Sequence, residues 1–459
     1  MNETDRLIKK CADLKYSDLP DMVVEQTKYL LLDYIGVAAR GAISESGRMA
    51  QQMVAGLNDG LRMGVVIGTD LTVSPPNAAL ANGIAAHSIE MDDVVNEASL
   101  HPAVSVMTAA LAAADMVGST GKQLIEAIVA GYEVVVRLGI GLDPSAHYRR
   151  GFHPTGTCGT MGAAVTAAKV LKLNPDQMKN ALGIAGSQAA GSMAFLADGS
   201  YTKRFHGGWA AHSGLMAALL ARQGFSGPGT IIEGKYGFLR AYSGKPQPER
   251  ILQNWGRPFY VMKTSIKPHA CCRYKQGPID GILKIMRENN LSPAEVESVT
   301  LGILKTGFPL VARPKEIKLN PKTIVDAQFS MPFGAAVAIL YGKAGLEEYT
   351  LEKIQSPAVQ EVMGLVRCVT LEELDKEYPR KWPAMVTIKT AAGRIFKLKV
   401  DYPKGDPENP LSREELIEKF IDLTEPVFSA EKRKALSETV LAIEKEDSLG
   451  DLAHQLLRT

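Results

Sequence analysis

Four stretches of this 459-residue chain gather ionisable side chains of the kinds that move protons and hold anions. In HSIEMDDVVNEASLHPAV, residues 87–104, His87 and Glu90 stand three apart at the end of an expected helix, where they would share a face. Asp92 and Asp93 follow, and His101 precedes Pro102 at the next helix start. Acids beside a histidine at a helix boundary suit general acid–base catalysis, and they suit helix-end capping and a solvated turn equally well. In HYRRGFHPTGTCGT, 147–160, Arg149, Arg150 and two histidines come before a Gly/Thr-rich helix start. The N–H groups of such a start favour a bound carboxylate, and an ordinary solvent-facing loop is the plainer alternative. In SYTKRFHGGWAAHSG, 200–214, Lys203, Arg204 and His206 precede an Ala-rich helix. In TSIKPHACCRYKQG, 264–277, Lys267, His269, Arg273 and Lys275 crowd around Cys271 and Cys272, which fits a ligand pocket at a hinge or a basic surface linker.

Common cofactor and nucleophile motifs fail on inspection. GSTGKQ at 118–123 lacks both the leading glycine and the Ser/Thr of a phosphate loop. GIG at 139–141 does not extend to GxGxxG and follows no strand pattern. There is no HExxH, no paired cysteine spacing for zinc or an iron–sulfur cluster, and no GxSxG elbow. On these residues, side chains alone would do the chemistry.

The elements that must position these groups change character along the chain. The first half reads as successive helices at 21–40, 77–90, 103–117, 121–138, 159–171, 175–190 and 208–223, broken by Gly and Pro. The Ala/Gly-rich 77–90 stretch would let neighbouring helices approach closely. No strand–helix alternation appears there, which argues against a doubly wound sheet. After about residue 263, SVTLGILKT at 298–306 reads as a strand, 321–343 as helix and 384–400 as a β-hairpin. The expected fold class is mainly α. A large all-helical domain (1–262 with 403–459) carries a smaller α+β lid domain (263–402). Ser412 and Glu415 form a capping-box pattern where the chain returns to helix.

The totals bound the partners. With 52 basic against 50 acidic side chains the formal net charge is +2, so no long-range field favours nucleic acid or an anionic membrane. The first twenty residues carry no apolar signal core, and no stretch offers the ~18 apolar residues of a membrane span. Five scattered cysteines fit a reducing compartment, so a cytoplasmic location is expected.

At these same segments the chain resembles the MmgE/PrpD family. The stretches that carry the resemblance are LLDYIGVAARG (31–41), PPNAALANGIAAHSIEMDD (75–93), GFHPTGTCGTMGAA (151–164), the Lys203 segment through 228, DAQFSMPFGAA (326–336) and KGDPENP (404–410). The resemblance implies a homodimer with an active site in the cleft between helical domain and lid. It also implies action on a small polycarboxylate without metal or organic cofactor. Its reactions are 2-methylcitrate dehydration, cis-aconitate decarboxylation and iminodisuccinate epimerisation. The decarboxylase branch has matching groups at Glu90 (as Asp), His101, His153, Lys203 and Lys267. It carries Thr where this chain has Val94, His near Cys272 and Tyr near Leu310. The turn from Asp93 to His101 is one residue longer here, and HPAVS replaces the HPSDN of typical proteobacterial dehydratases.

All three reactions pass through a carbanion or enolate beside a carboxylate, which needs a base and fixed positive charge. Lys203 and Lys267 would supply the charge, with Arg149 and Arg150 as clamps and His269 and Cys272 near the substrate. His101 and His153 would serve as acid and base, and Glu90 or Asp93 would orient His101 or act as base. The expected activity is a hydro-lyase acting on a 2-methylcitrate-like substrate. The alternatives are an epimerase, a decarboxylase and a catalytically inactive binding dimer.

Overall fold

The structure, a computed structural model, describes residues 1–57, 60 and 63–459. It divides into two units. The first comprises Met1–Phe195, Tyr201–Thr264 and Ser412–Thr459, and the second Leu196–Ser200 and Ser265–Leu411.

The first unit is built from α1 (Asp21–Ala42), α2 (Pro75–Ala86), α3 (Ala103–Ala114), α4 (Gly121–Gly141), α5 (Pro154–Val170), α6 (Pro175–Gly186) and α7 (Thr202–Arg222). Their starts follow local chemistry. Thr120 with Gln123 and Asn174 with Gln177 form capping boxes, and α2, α5 and α6 place proline at the first turn. α5 packs against α3, α4, α6 and α7, and every residue of it except Lys169 is buried. A helix apolar or small on all sides can occupy such a central place.

Glycine sets how closely these helices approach. A Cβ on Gly83 of α2 would lie 2.5 Å from the Cα of Gly208 on α7, and one on Gly162 of α5 would meet a Val135 methyl of α4 at 2.0 Å. The close packing expected of the Ala/Gly-rich stretch is therefore present.

In the second unit, α8 (Gln276–Glu288) and α9 (Met331–Tyr341) accompany a sheet of β1 (Val296–Ile303), β2 (Val366–Thr370), β3 (Ala384–Thr390) and β4 (Ile395–Val400). Strand order is β2-β1-β3-β4, with β1 and β2 parallel and the other pairs antiparallel. Along β3 burial alternates strictly, and α8 covers the sheet at β3 and β4. The hairpin expected at 384–400 is β3–β4. The helix expected over 321–343 is instead two pieces, Ile324–Gln328 and α9, because Ser330 caps a new start and Pro332 occupies its first turn. Asp406 anchors the Pro/Gly-rich stretch, taking the Arg273 guanidinium on both carboxylate oxygens at 2.6 and 2.8 Å. The chain then returns to the first unit as α10 (Arg413–Thr424), started by the Ser412–Glu415 capping box.

The fold is thus mainly α with a smaller α+β part. Among the described residues no helix is long and apolar enough to cross a membrane. The α2–α7 approach yields a stability prediction. Gly208→Val is expected to cost ~1–3 kcal/mol or more in urea unfolding, because a Cβ there would sit 2.3 Å from the Leu80 carbonyl oxygen. Gly56→Ala, which meets nothing within 4 Å, is expected to cost nothing. Equal stability of the two variants would contradict the packing argument.

Candidate active site

α2 ends at Ala86, and His87 caps it. The chain then turns, with Glu90 in the left-handed backbone region at φ 59°. His87 and Glu90 therefore do not share a helix face, contrary to the expectation from their spacing. The helix stops because the turn has its own partners. His87 Nδ1 lies 2.8 Å from Asp92 Oδ2, and Lys419 of α10 donates to the Met91 carbonyl at 3.0 Å.

Asp93 organises the segment from this turn to α3. Its carboxylate accepts the Ala103 N–H at 3.0 Å, closing the start of α3, and the Tyr132 hydroxyl of α4 at 2.7 Å. Its backbone carbonyl lies 2.6 Å from His101 Nδ1. Burial pushes the Asp93 pKa up to about 8, while the two donated hydrogen bonds pull it down. Both Asp93 oxygens are thus engaged, one by the Ala103 N–H and the other by the Tyr132 hydroxyl.

Four imidazoles meet beside it. Ring centroids are 5.2 Å apart for His87–His101, 5.8 Å for the stacked His87–His153, 6.5 Å for His101–His153 and 5.2 Å for His153–His206. Phe195 packs edge-on against His153 and His206. A carbonyl oxygen can only accept, so His101 Nδ1 carries a proton and neutral His101 keeps its lone pair on Nε2. Asp92 Oδ2, 3.1 Å from the same Nδ1, would stabilise the imidazolium form. His87 donates to Asp92 in the same way, and its Nε2 is buried with no hydrogen-bond partner among the described residues. His153 and His206 face each other Nδ1 to Nδ1 at 3.0 Å and so share one proton. Burial, with neighbouring cationic and imidazole groups, holds His153 well below its usual range and brings His206 down to about 3.

Lys203 and His206 do not precede a helix as expected; they lie in the first turns of α7, three apart and on one face. The Lys203 ammonium is ion-paired with Glu90, and both are buried. Arg204 bonds Ser46 at 2.9 Å and stacks over Tyr201. Arg149 and Arg150 are exposed. His147 beside them is buried, bonded to the Tyr242 carbonyl and the Thr157 hydroxyl.

The second unit holds the remaining candidates. Lys267 and Cys272 are buried. His269 Nε2 lies 2.8 Å from Asp280, and Lys275 donates to the Ala327 carbonyl and the Tyr349 hydroxyl. Cys271, its pKa pushed up to about 11 by burial, is no ready nucleophile.

The structure therefore assembles Glu90, Asp93, His101, His153 and Lys203 in one unit and joins to them His87, Asp92 and His206, which the sequence places in the same stretches without a specific partner. The signals for them are faint: Asp92 five residues after His87, and His206 three after Lys203. Among the described residues no group of three or more His, Cys, Asp or Glu has an arrangement that could hold a metal ion.

His147 provides a pH test. Burial lowers its pKa to about 4. Between that value and the ordinary ~6.5, the unfolded chain binds a proton that the folded chain refuses. Its contribution is thus intact at pH 7 and is lost as pH falls through this window, by ~2 kcal/mol at pH 5. His147→Gln is expected to lose ~2 kcal/mol less stability than wild type between pH 7 and 5 in urea titrations. An unchanged pH dependence would refute the neutral, structural assignment.

Comparison with known proteins identifies the family. The MmgE/PrpD N-terminal domain matches residues 5–251 and the MmgE/PrpD C-terminal domain residues 269–445. A cis-aconitate decarboxylase-like protein of Aspergillus oryzae is 28% identical, over 98% of this chain and 96% of its own length. The cis-aconitate decarboxylase of Aspergillus terreus is 27% identical over 99% and 95%. The human cis-aconitate decarboxylase is 27% identical over 89% and 84%. The two family models together cover most of the chain, which is a member of the MmgE/PrpD family.

Proposed function

We propose that this protein is a hydro-lyase for a small polycarboxylate of the 2-methylcitrate type, working through side chains alone. The observation that carries the reading is a pair of separate imidazole stations. His101 is backed by Asp92, and His153 is paired with His206, with the His101 and His153 rings 6.5 Å apart. Elimination needs a base at one atom and an acid at the next, whereas loss of carbon dioxide from an unsaturated acid needs mainly one delivered proton.

His101 Nε2 takes the proton beside a carboxylate, and Asp92 stabilises the imidazolium that forms. The developing negative charge falls to the Lys203 ammonium, which the substrate draws from Glu90. The C–O bond then breaks, the carbon–carbon double bond forms, and His153 gives its proton to the departing hydroxyl. Buried His153 is neutral before binding, and a bound polyanion raises its pKa, so substrate and proton arrive together. Lys267 is assigned by family resemblance as a second cation for this reaction, and the homodimer rests on the same resemblance.

Decarboxylation is the second reading, favoured by the names of the relatives and opposed by Val94, Cys272 and Leu310 in place of that branch's Thr, His and Tyr.

The test is incubation with 2-methylcitrate, citrate, cis-aconitate and iminodisuccinate in deuterated, EDTA-containing buffer, followed by NMR. Loss of water from a hydroxy-tricarboxylate supports the hydro-lyase. Carbon dioxide release would replace it with the decarboxylase, and deuterium uptake without elimination with an epimerase. His101→Asn is expected to lower kcat by ~10²–10⁴-fold, and Lys203→Met and Lys267→Met to lower kcat/KM. Full activity in both His101→Asn and Lys203→Met would remove the site. Sedimentation velocity is expected to give the mass of two chains; the mass of one would remove the dimer.

A further inference from the structure

The second unit holds a pocket of about 400 Å³ lined by four cations, Arg313, Lys315, Lys318 and Arg367, and by no acid. None of the four takes part in an ion pair among the described residues, and Arg313 instead lies over the Phe308 ring. The whole chain carries a formal net charge of only +2, so four positive charges around one concavity are a local excess. Like charges gathered on a low-dielectric wall repel one another and focus an attractive potential for an anion. Lys318 sharpens the point. It is half-buried, and burial lowers its pKa despite the opposing fields of Cys272 and Asp326.

The rest of the wall is apolar or backbone. Phe308, Ala312, Leu319, Pro332 and Val366 supply carbon surface. The run Gly364–Val369 lines the pocket residue by residue, so the pocket follows the strand rather than one of its faces. That strand, β2, is at the edge of the sheet and pairs with β1 on one side, which leaves backbone N–H groups along its other side as donors. The volume falls in the ~300–1,000 Å³ range of small-molecule sites.

We propose that this pocket binds a small organic polyanion, with two or more carboxylate or phosphate groups held by Arg313, Lys315, Lys318 and Arg367 and an apolar portion against Phe308 and Leu319. The proposal is independent of the reaction assigned above, because it uses none of the same residues.

The segment that forms the pocket also supports candidate groups of the same unit. The Lys318 carbonyl accepts the Ser330 hydroxyl at 2.5 Å, and Ser330 caps α9. Just before that cap, the Gln328 carbonyl accepts the Cys272 N–H and the Ala327 carbonyl the Lys275 ammonium. An occupant pressing on Lys318 therefore bears on the backbone that places Cys272.

The test is hydrogen–deuterium exchange of the full chain with three probes: citrate for carboxylates, pyrophosphate for phosphates, and octanoyl-coenzyme A for phosphates with an apolar tail. At least one is expected to protect peptides covering 308–319 and 364–369. Its Kd, from calorimetry, is expected to rise about tenfold or more in Arg313→Glu/Lys318→Glu and to weaken with added salt. The exposed pair Lys315→Ala/Arg367→Ala, a milder change, is expected to shift Kd in the same direction. Which probe binds separates the carboxylate from the phosphate source. Protection confined to peptides of residues 87–104 and 153–206, no protection by any probe, or a Kd unchanged in both variants would overturn the proposal.

Discussion

The candidate site depends on one constraint: ionisable groups taken out of water must find partners inside the protein, and Asp93 shows how one residue meets it. Its carboxylate ties the start of α3 to Tyr132 of α4, and its carbonyl fixes the tautomer of His101. An unpaired carboxylate at this depth would cost several kcal/mol. With both oxygens satisfied, the same group instead sets the angle between two helices and aims an imidazole. Replacing it would disturb the α3–α4 contact and the setting of His101 together, because one residue holds both.

The surrounding helices make such burial possible. Bulky side chains at Gly83, Gly162 or Gly208 would push α2, α4, α5 and α7 apart and admit water. The C-terminal segment completes the enclosure. Lys419, on a helix more than three hundred residues away in sequence, holds both Asp33 of α1 and the Met91 carbonyl in the turn before Asp93. The turn that carries the acids is therefore fastened from two sides, and Glu90 can be held in a left-handed conformation that an unsupported turn would avoid.

Much of this is legible in the sequence. The helices of the first unit follow from apolar periodicity, from breaks at Gly and Pro and from the Ser412 capping box, and the β3–β4 hairpin from its alternation. The errors fall where tertiary partners override local pattern. Spacing puts His87 and Glu90 on one helical face, but Asp92 and Lys419 stabilise a turn instead. The local pattern sets Lys203 and His206 before a helix; they lie within it, where the three-residue interval puts them on one face. The pairing of His153 with His206, fifty-three residues apart, has no local signature at all. The cationic pocket of the second unit is equally hidden, since Arg313, Lys318 and Arg367 converge only after β2 joins the sheet.

The Lys203–Glu90 pair shows why this site is built with charges rather than apolar groups. A buried ion pair contributes little net stability, because the cost of stripping water from both ions offsets most of their attraction. Apolar side chains of similar volume would hold the turn after α2 against α7 at least as well. What the pair supplies is an ammonium kept dry and aimed, with a carboxylate as its counter-ion. In the reaction proposed above, an incoming carboxylate would exchange one anion for another at Lys203 and meet a cation already desolvated.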